Sequence, residues 1–390
     1  MTADNEVLDA FRQNVREFVE REVEPIAREL DRERQLIPPE LITKLGDQGY
    51  HGILFPEEHG GLGLDNQTMV VVAEELSRGW LSVGSVMTRN IITGTILLHH
   101  GTDDQKARWL PGLATARTLS AAAFTEPSVG SDLGSVETAA KRNDAGDGWQ
   151  LHGEKTWCTM GLQASVLTVL CRTDPDTSLR HRGLSLLLAE KPADAWPEPT
   201  MTGGPIPSIG YRGMKSYSVF FDGHDVPDQN VVGMETGKGF KQLMSTFEVA
   251  RIQTAARAVG VGQAALDAAV AYATQRRQFG KTLAEQPVIR HKLAEMAARL
   301  EAARRLTYYA AEQKDTGKRC DLEAGMAKMV ATEMVEYVAR EGLQIHGAYG
   351  YSEEFDAQRF WRDSKVFSVF EGTSEIQADV VAKQLLGRYA

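Results

Sequence analysis

Cysteine is scarce in this chain. Its three copies, Cys158, Cys171 and Cys320, lie far apart among 390 residues and never in CxxC spacing, which argues against a disulfide framework or a zinc site and fits a reducing compartment. Positive charge is also short. Lys and Arg number 43 against 53 Asp and Glu, a net charge of −10, so nucleic acid is not an expected partner. A local pair such as Arg276-Arg277 can still meet a small anion. The nine histidines show no HExxH spacing, and the adjacent His99 and His100 would point in different directions on a helix, so no metal site is expected. No apolar run approaches the ~18 residues that span a bilayer. The opening Met1–Glu6 is acidic and lacks the basic-then-apolar order of a secretion leader. These absences point to a cytoplasmic protein with no membrane partner.

Phosphate-binding loops are missing too. Gly233–Lys238 is one residue short of a P-loop and has no Ser or Thr after its lysine. Gly260-Val261-Gly262 loosely fits a dinucleotide pattern but lies in an alanine-rich helical stretch rather than at a strand-to-helix turn. Close helix packing through small residues is the better explanation.

What is present is enough apolar mass (42% hydrophobic, 25% charged) for two or three packed units. Phe11, Val15, Phe18, Val19, Val23 and Ile26 recur at three- and four-residue steps, the apolar face of a helix. Further helices are expected around Pro39–Gln48, Asn66–Arg78, Leu81–His100 and Asp103–Leu113. From about Thr118 the texture changes to short β-branched and aromatic runs between Gly, Pro, Asp and Asn: Trp149–Met160, Val166–Arg172, Gly183–Glu190 and Ser216–Asp222. In the last, Tyr217, Val219 and Phe221 alternate with serines, the two-residue period of a half-buried strand. Beyond Gly237-Lys238-Gly239 long helices return, with a stripe of Ile289, Leu293, Met296, Leu300 and Leu306 suited to a bundle. The expected division is an N-terminal helical domain over 1–117, a β domain over 118–233 and a C-terminal helical bundle over 234–390.

Two distant segments carry the chemistry: Phe124-Thr125-Glu126-Pro127-Ser128-Val129-Gly130-Ser131-Asp132 and Phe370-Glu371-Gly372-Thr373-Ser374-Glu375-Ile376-Gln377. The first offers hydroxyls and amides on a kinked loop, the second a carboxylate before a glycine. Together they resemble the flavin-binding and base-bearing segments of the acyl-CoA dehydrogenases, and the likeness covers essentially the whole chain. It implies an α+β, mostly α fold (helices, then a β domain, then a four-helix bundle) and FAD as cofactor.

Carried over residue by residue, the resemblance implies that Phe124, Thr125 and nearby amides meet the flavin's pyrimidine edge, and that Ser131 contacts the pantetheine arm or a flavin phosphate. Trp157 packs beside the ring and Thr159 bonds N5; two apart in a strand, they share a face. Arg276, Gln278 and Phe279, closing a long helix, and Gln344, Gly347 and Ala348 would reach the FAD of a neighbouring subunit in a homotetramer, a dimer of dimers. Pro287 stands where relatives often carry a flavin-contacting glutamine and is given no role. Glu248 and Arg251 would contact CoA, although a plain intrahelical ion pair explains their spacing as well. Relatives that carry the base just before this arginine differ here, since the position is Ala250.

Glu371 is thus the family base position that this chain fills. The expected reaction is α,β-dehydrogenation of an acyl-CoA to the trans-2-enoyl-CoA, with a dry pocket raising the carboxylate's pKa. Gly372 would leave room for the thioester, while Thr373 and Glu375 contact the flavin or its phosphates. Electron-transferring flavoprotein is the implied acceptor. An oxidase, reductase or desulfinase on the same scaffold, or a non-catalytic flavin- and thioester-binding subunit, stay open as alternatives. Within Leu81–His100, expected to line the acyl pocket, Arg89 either pairs a substrate's polar tail or faces solvent.

Overall fold

The structure, a computed structural model, describes residues 3–388. Helix α1 (Ala3–Phe18) runs through a wide π turn at Val19–Val23 into α2 (Glu24–Arg32). Pro25 sits in the first turn of α2. Its missing N–H cannot close a bond to the preceding turn, which accounts for the local widening. Val15, Phe18, Val19 and Val23 are all buried, so the apolar stripe survives the irregularity.

Helices α3 (Pro39–Asp47), α4 (Asn66–Gly79), α5 (Leu81–His100) and α6 (Asp103–Ala114) follow. Asp65 caps α4 by accepting the amide of Thr68 at 2.8 Å, and Thr102 with Gln105 forms a reciprocal cap on α6. By length and composition α5 could cross a membrane, although Arg89 and Asn90 interrupt its apolar residues. Its apolar stretch is 89% buried within the molecule, as expected of a core helix.

Seven strands form one mixed sheet: β1 (Ser120–Ala123), β2 (Ala139–Arg142), β3 (Gly148–Thr159), β4 (Val166–Arg172), β5 (Leu184–Glu190), β6 (Met201–Ile206) and β7 (Ser216–Pro227). The order is β1-β4-β2-β3-β7-β6, with β5 also on β4. Strand β1 runs parallel to β4, whereas β3, β7 and β6 form an antiparallel meander. Along β7, Tyr217, Val219 and Phe221 are buried between more open neighbours, as their spacing requires.

Beyond the sheet come α7 (Gly239–Met244), the 29-residue α8 (Phe247–Gln275), a two-strand hairpin of β8 (Arg277–Gln278) and β9 (Lys281–Thr282), and the helices α9 (Pro287–Asp315), α10 (Asp321–His346), α11 (Ala357–Ser364) and α12 (Ser374–Gly387). Helices α8, α9 and α10 pack on one another, α12 packs on α10 to complete the bundle, and α4 lies along α8. The two glycines that imitate a dinucleotide motif sit at these contacts. A Cβ on Gly260 would lie 2.1 Å from the carbonyl oxygen of Glu74 in α4, and one on Gly262 would lie 2.8 Å from the Met334 sulfur in α10. Close backbone approach is the role of Gly260, whereas Gly262 makes room for the side chains of Met334 and Leu300.

Candidate active site

Three buried helices converge on one carboxylate. Glu371 lies in the short link between α11 and α12, with a left-handed backbone (φ 53°) followed by Gly372 at φ 87°. A non-glycine residue is rarely held there, and the conformation costs of order 1–3 kcal/mol. The surroundings fix it. Lys328, fully buried on α10, donates from Nζ to the carbonyl oxygens of Phe367 (2.7 Å) and Gly372 (2.6 Å). Thr373 caps α12 by accepting from the Ile376 amide. Gly372 is favoured by its positive φ, and a Cβ there would also displace the end of the Gln377 side chain, 2.3 Å away.

Both oxygens of the Glu371 carboxylate are engaged. Arg89 of α5 donates from Nη2 to Oε1 at 2.9 Å, so this arginine faces inward, not toward solvent. Arg257 of α8 donates from Nη2 to Oε2 at 2.8 Å, and the Thr254 hydroxyl also reaches Oε2. Arg257 has no exposed surface and is braced by the Ser85 hydroxyl at 3.0 Å and by the ring of Phe370. Arg89 is less fully matched, since its Nε is buried with no partner among the described residues.

This arrangement overturns the expected basicity. Burial does push the Glu371 carboxyl upward, but Arg257 and Arg89, with the bonds from Thr254 and Arg257, pull it down to about 2. Arg257, Thr254 and Lys328 were not anticipated as site residues. Helix α8 is buried on nearly every side around Arg257 and Thr254, so no polar or apolar face distinguished the pair. The one available signal was an arginine inside a run of alanines.

The flavin-segment residues gather on the sheet beside this site. The Thr156 amide donates to the Thr125 carbonyl at 2.9 Å, which joins the Phe124–Ser131 loop to the Trp157 segment. Lys155 on β3, fully buried, donates to the Phe124 carbonyl (3.0 Å) and to Glu126 (2.8 Å). Glu126 in turn accepts the amides of Glu137 and Thr138. Despite its burial, the Lys155 charge and these amides hold the Glu126 carboxyl below its ordinary range. The register of β3 slips between Lys155 and Cys158, and Trp157 has a left-handed backbone (φ 57°) with 54% exposure. Cys158 between Trp157 and Thr159 is buried, and the chain passes Trp157 by way of a bulge rather than the plain alternation expected for the pair. Thr159 pairs its hydroxyl with Ser216 at 3.0 Å.

The stretch 209–215 connects this strand to the carboxylate. Met160 donates to the Lys215 carbonyl at 2.8 Å. Tyr211 donates its amide to Asp363 of α11 at 2.7 Å and meets the ring of Phe370, next to Glu371, at 6.5 Å. Ser131 is exposed on its loop, and Glu375 is exposed in the first turn of α12.

The remaining candidates stand elsewhere. Glu248 and Arg251 do not pair with each other. Lys314 (2.6 Å) and the Cys320 amide (3.0 Å) take Glu248, and Asp321 takes Arg251 at 3.1 Å. They tie α8 to α9 and α10 rather than form the simple helical pair their spacing allows. Arg276 ends α8, while Gln278 and Phe279 occupy the β8–β9 hairpin, with Phe279 93% exposed. Gln344, Gly347 and Ala348 are exposed at the end of α10. The two groups meet where Arg276 lies over the ring of Tyr349.

Comparison with known proteins assigns all three parts of the chain. Residues 5–117 match the acyl-CoA dehydrogenase N-terminal domain, 121–224 the middle domain and 237–386 the C-terminal domain. A (2S)-methylsuccinyl-CoA dehydrogenase of Cereibacter sphaeroides is 49% identical over 98% of this chain and 70% of its own length. Butyryl-CoA dehydrogenase from Megasphaera elsdenii superposes with a TM-score of 0.92 at 34% identity, covering 99% of both chains. A glutaryl-CoA dehydrogenase in complex with glutaryl-CoA also reaches 0.92, at 32% identity over 99% of this chain and 96% of that one.

Proposed function

Because the chain belongs to the acyl-CoA dehydrogenase family of FAD-dependent oxidoreductases, we propose that it dehydrogenates the α,β bond of a short acyl-CoA whose acyl group ends in a second carboxylate. The product is the trans-2-enoyl thioester. Glu371 takes the α-proton, and the rigidly held link anchors the backbone from which its carboxylate reaches that hydrogen.

The observation that carries the substrate class is Arg89. It reaches the Glu371 carboxylate from a core helix, and its Nε is buried with no acceptor. An unmatched buried guanidinium N–H is costly, and a carboxylate can accept from Nε and Nη together. Methylsuccinyl and glutaryl groups, which the names of two relatives specify, both end in such a carboxylate. A butyryl group has none.

The donor set suits FAD. Hydroxyls and amides from Thr125, Thr159 and Ser216, with Trp157 held out of the core, match a flat ring with carbonyl edges and apolar faces. Phe124, Thr125, Trp157 and Thr159 would hold that ring, Ser131, Thr373 and Glu375 its ribityl-phosphate arm, and Arg276, Gln278, Phe279, Gln344, Gly347 and Ala348 the adenosine end of a neighbouring subunit's FAD in a homotetramer. Bound FAD supplies the acceptor for the β-hydrogen, which leaves as hydride. Glu248, Arg251 and Gly372 would bound the CoA thioester, and electron-transferring flavoprotein would collect the electrons.

Anaerobic titration with methylsuccinyl-, succinyl-, glutaryl- and butyryl-CoA tests the reading. Bleaching of the yellow flavin by at least one carboxylate-tailed thioester, well ahead of butyryl-CoA, is the expected result. Bleaching by butyryl-CoA alone would contradict it. Rapid reoxidation by air would favour an oxidase over a dehydrogenase.

A further inference from the structure

A carboxylate that is to act as a base must offer a lone pair to the substrate. Glu371 has three of its roughly four lone-pair sites taken, by Arg89 on Oε1 and by Arg257 and Thr254 on Oε2. The paired guanidinium weakens the remaining site on Oε1 as a base. Three cations surround it from three helices: Arg89 on α5, Arg257 on α8 and Lys328 on α10, the last held by the carbonyls of Phe367 and Gly372. The two arginines are not equally free. Arg257 is fully buried, braced by Ser85 and Thr254, and cannot move without opening the core. Arg89 retains 10% side-chain exposure and has an unpartnered Nε. Thr254 has one hydroxyl proton and two acceptors within reach, Glu371 and the Ala250 carbonyl at 2.8 Å. It can therefore turn back to its own helix when Glu371 moves away.

We infer that Arg89 holds Glu371 in a latched, unreactive state, and that the substrate's tail carboxylate unlatches it by taking the Arg89 guanidinium. The inference rests on the carboxylate-tailed reading above. Once the tail sits on Arg89, Oε1 is released toward the acyl chain. The α-C–H bond then breaks, its proton passes to Oε1, and the electron pair stays on Cα and the thioester carbonyl. Arg257 remains in place and limits where the freed carboxylate can swing. Specificity then resides in the chemical step as well as in binding: a neutral acyl-CoA fits the pocket yet leaves the base latched.

The test compares methylsuccinyl-CoA with its isosteric carboxamide, using the FAD-loaded wild type and Arg89→Met. Exchange of the α-hydrogen in D2O, followed by mass spectrometry, is measured beside kcat and KM. For the wild type at saturation, exchange from the amide should be at least roughly tenfold slower than from the acid. In Arg89→Met the amide should speed up by roughly tenfold, about one pKa unit of recovered base strength, while KM for the acid rises. If Arg89 only anchors the tail, KM for the acid rises but the amide gains nothing, and the latch is refuted while the substrate class stands. If the wild type does not prefer the acid, the substrate class itself fails. A measurement on the wild type alone guards against a misfolded variant. Sodium formate, against sodium chloride at equal ionic strength, should raise the exchange rate of butyryl-CoA several-fold by occupying Arg89. No increase with formate overturns the latch.

Discussion

At Glu371 a left-handed backbone, a glycine neighbour and a ring of cations act on one side chain, and each gives a separate expectation. The carboxyl is held at about 2 against an ordinary 4.5. Between those values the unfolded chain binds the proton and the folded chain does not, so stability is complete above pH 4.5 and declines as pH falls toward 2. Replacing Glu371 with Gln should flatten that acid limb, measured as urea midpoint against pH; an unchanged slope would contradict the carboxylate's charged pairing. Lys328→Met should leave the carbonyls of Phe367 and Gly372 without their donor, at roughly 1–3 kcal/mol each. It should also lower kcat more than it raises KM, because this lysine is fully buried and bonds only the backbone that carries Glu371; a change in KM alone would count against a positioning role. Glu371 was legible in the sequence because it lies in a motif. Arg257 was not, because a helix buried on nearly all sides shows no periodic contrast. With Arg257 unseen, burial alone was weighed, and burial alone gives the wrong direction for the pKa.

Among the elements, the strands with clear alternation, such as β7, were readable from composition. Strand β1, Ser-Ala-Ala-Ala, was not. Alanine has little preference for strands, and β1 exists because its four residues pair in parallel with Val166–Val169 of β4. Two contacts between elements can be tested. Glu126 and Lys155 form a buried pair that fixes the Phe124–Ser131 loop to β3. Removing one partner, as in Lys155→Met, leaves an uncompensated charge and should cost about 3–5 kcal/mol, read as the shift in denaturant midpoint, with weaker FAD retention. Gly260→Ala forces a Cβ against the Glu74 carbonyl of α4. Separating those helices should cost roughly 1–3 kcal/mol; a variant as stable as the wild type would show that the contact relaxes freely.

For the whole molecule, the order of helices, sheet and helices was legible because composition changes abruptly near Thr118 and again near Gly237. How the parts meet at Glu371 was not, since α5, α8, α10 and the α11–α12 link lie up to 282 residues apart in sequence and only tertiary packing unites them. The most direct test of Glu371 as the base is stopped-flow absorbance under anaerobic conditions, comparing wild type with Glu371→Gln, both loaded with FAD and mixed with methylsuccinyl-CoA. The wild type should bleach within its turnover time and the variant should stay yellow with its FAD still bound. Bleaching of the variant at a comparable rate would contradict the role of Glu371.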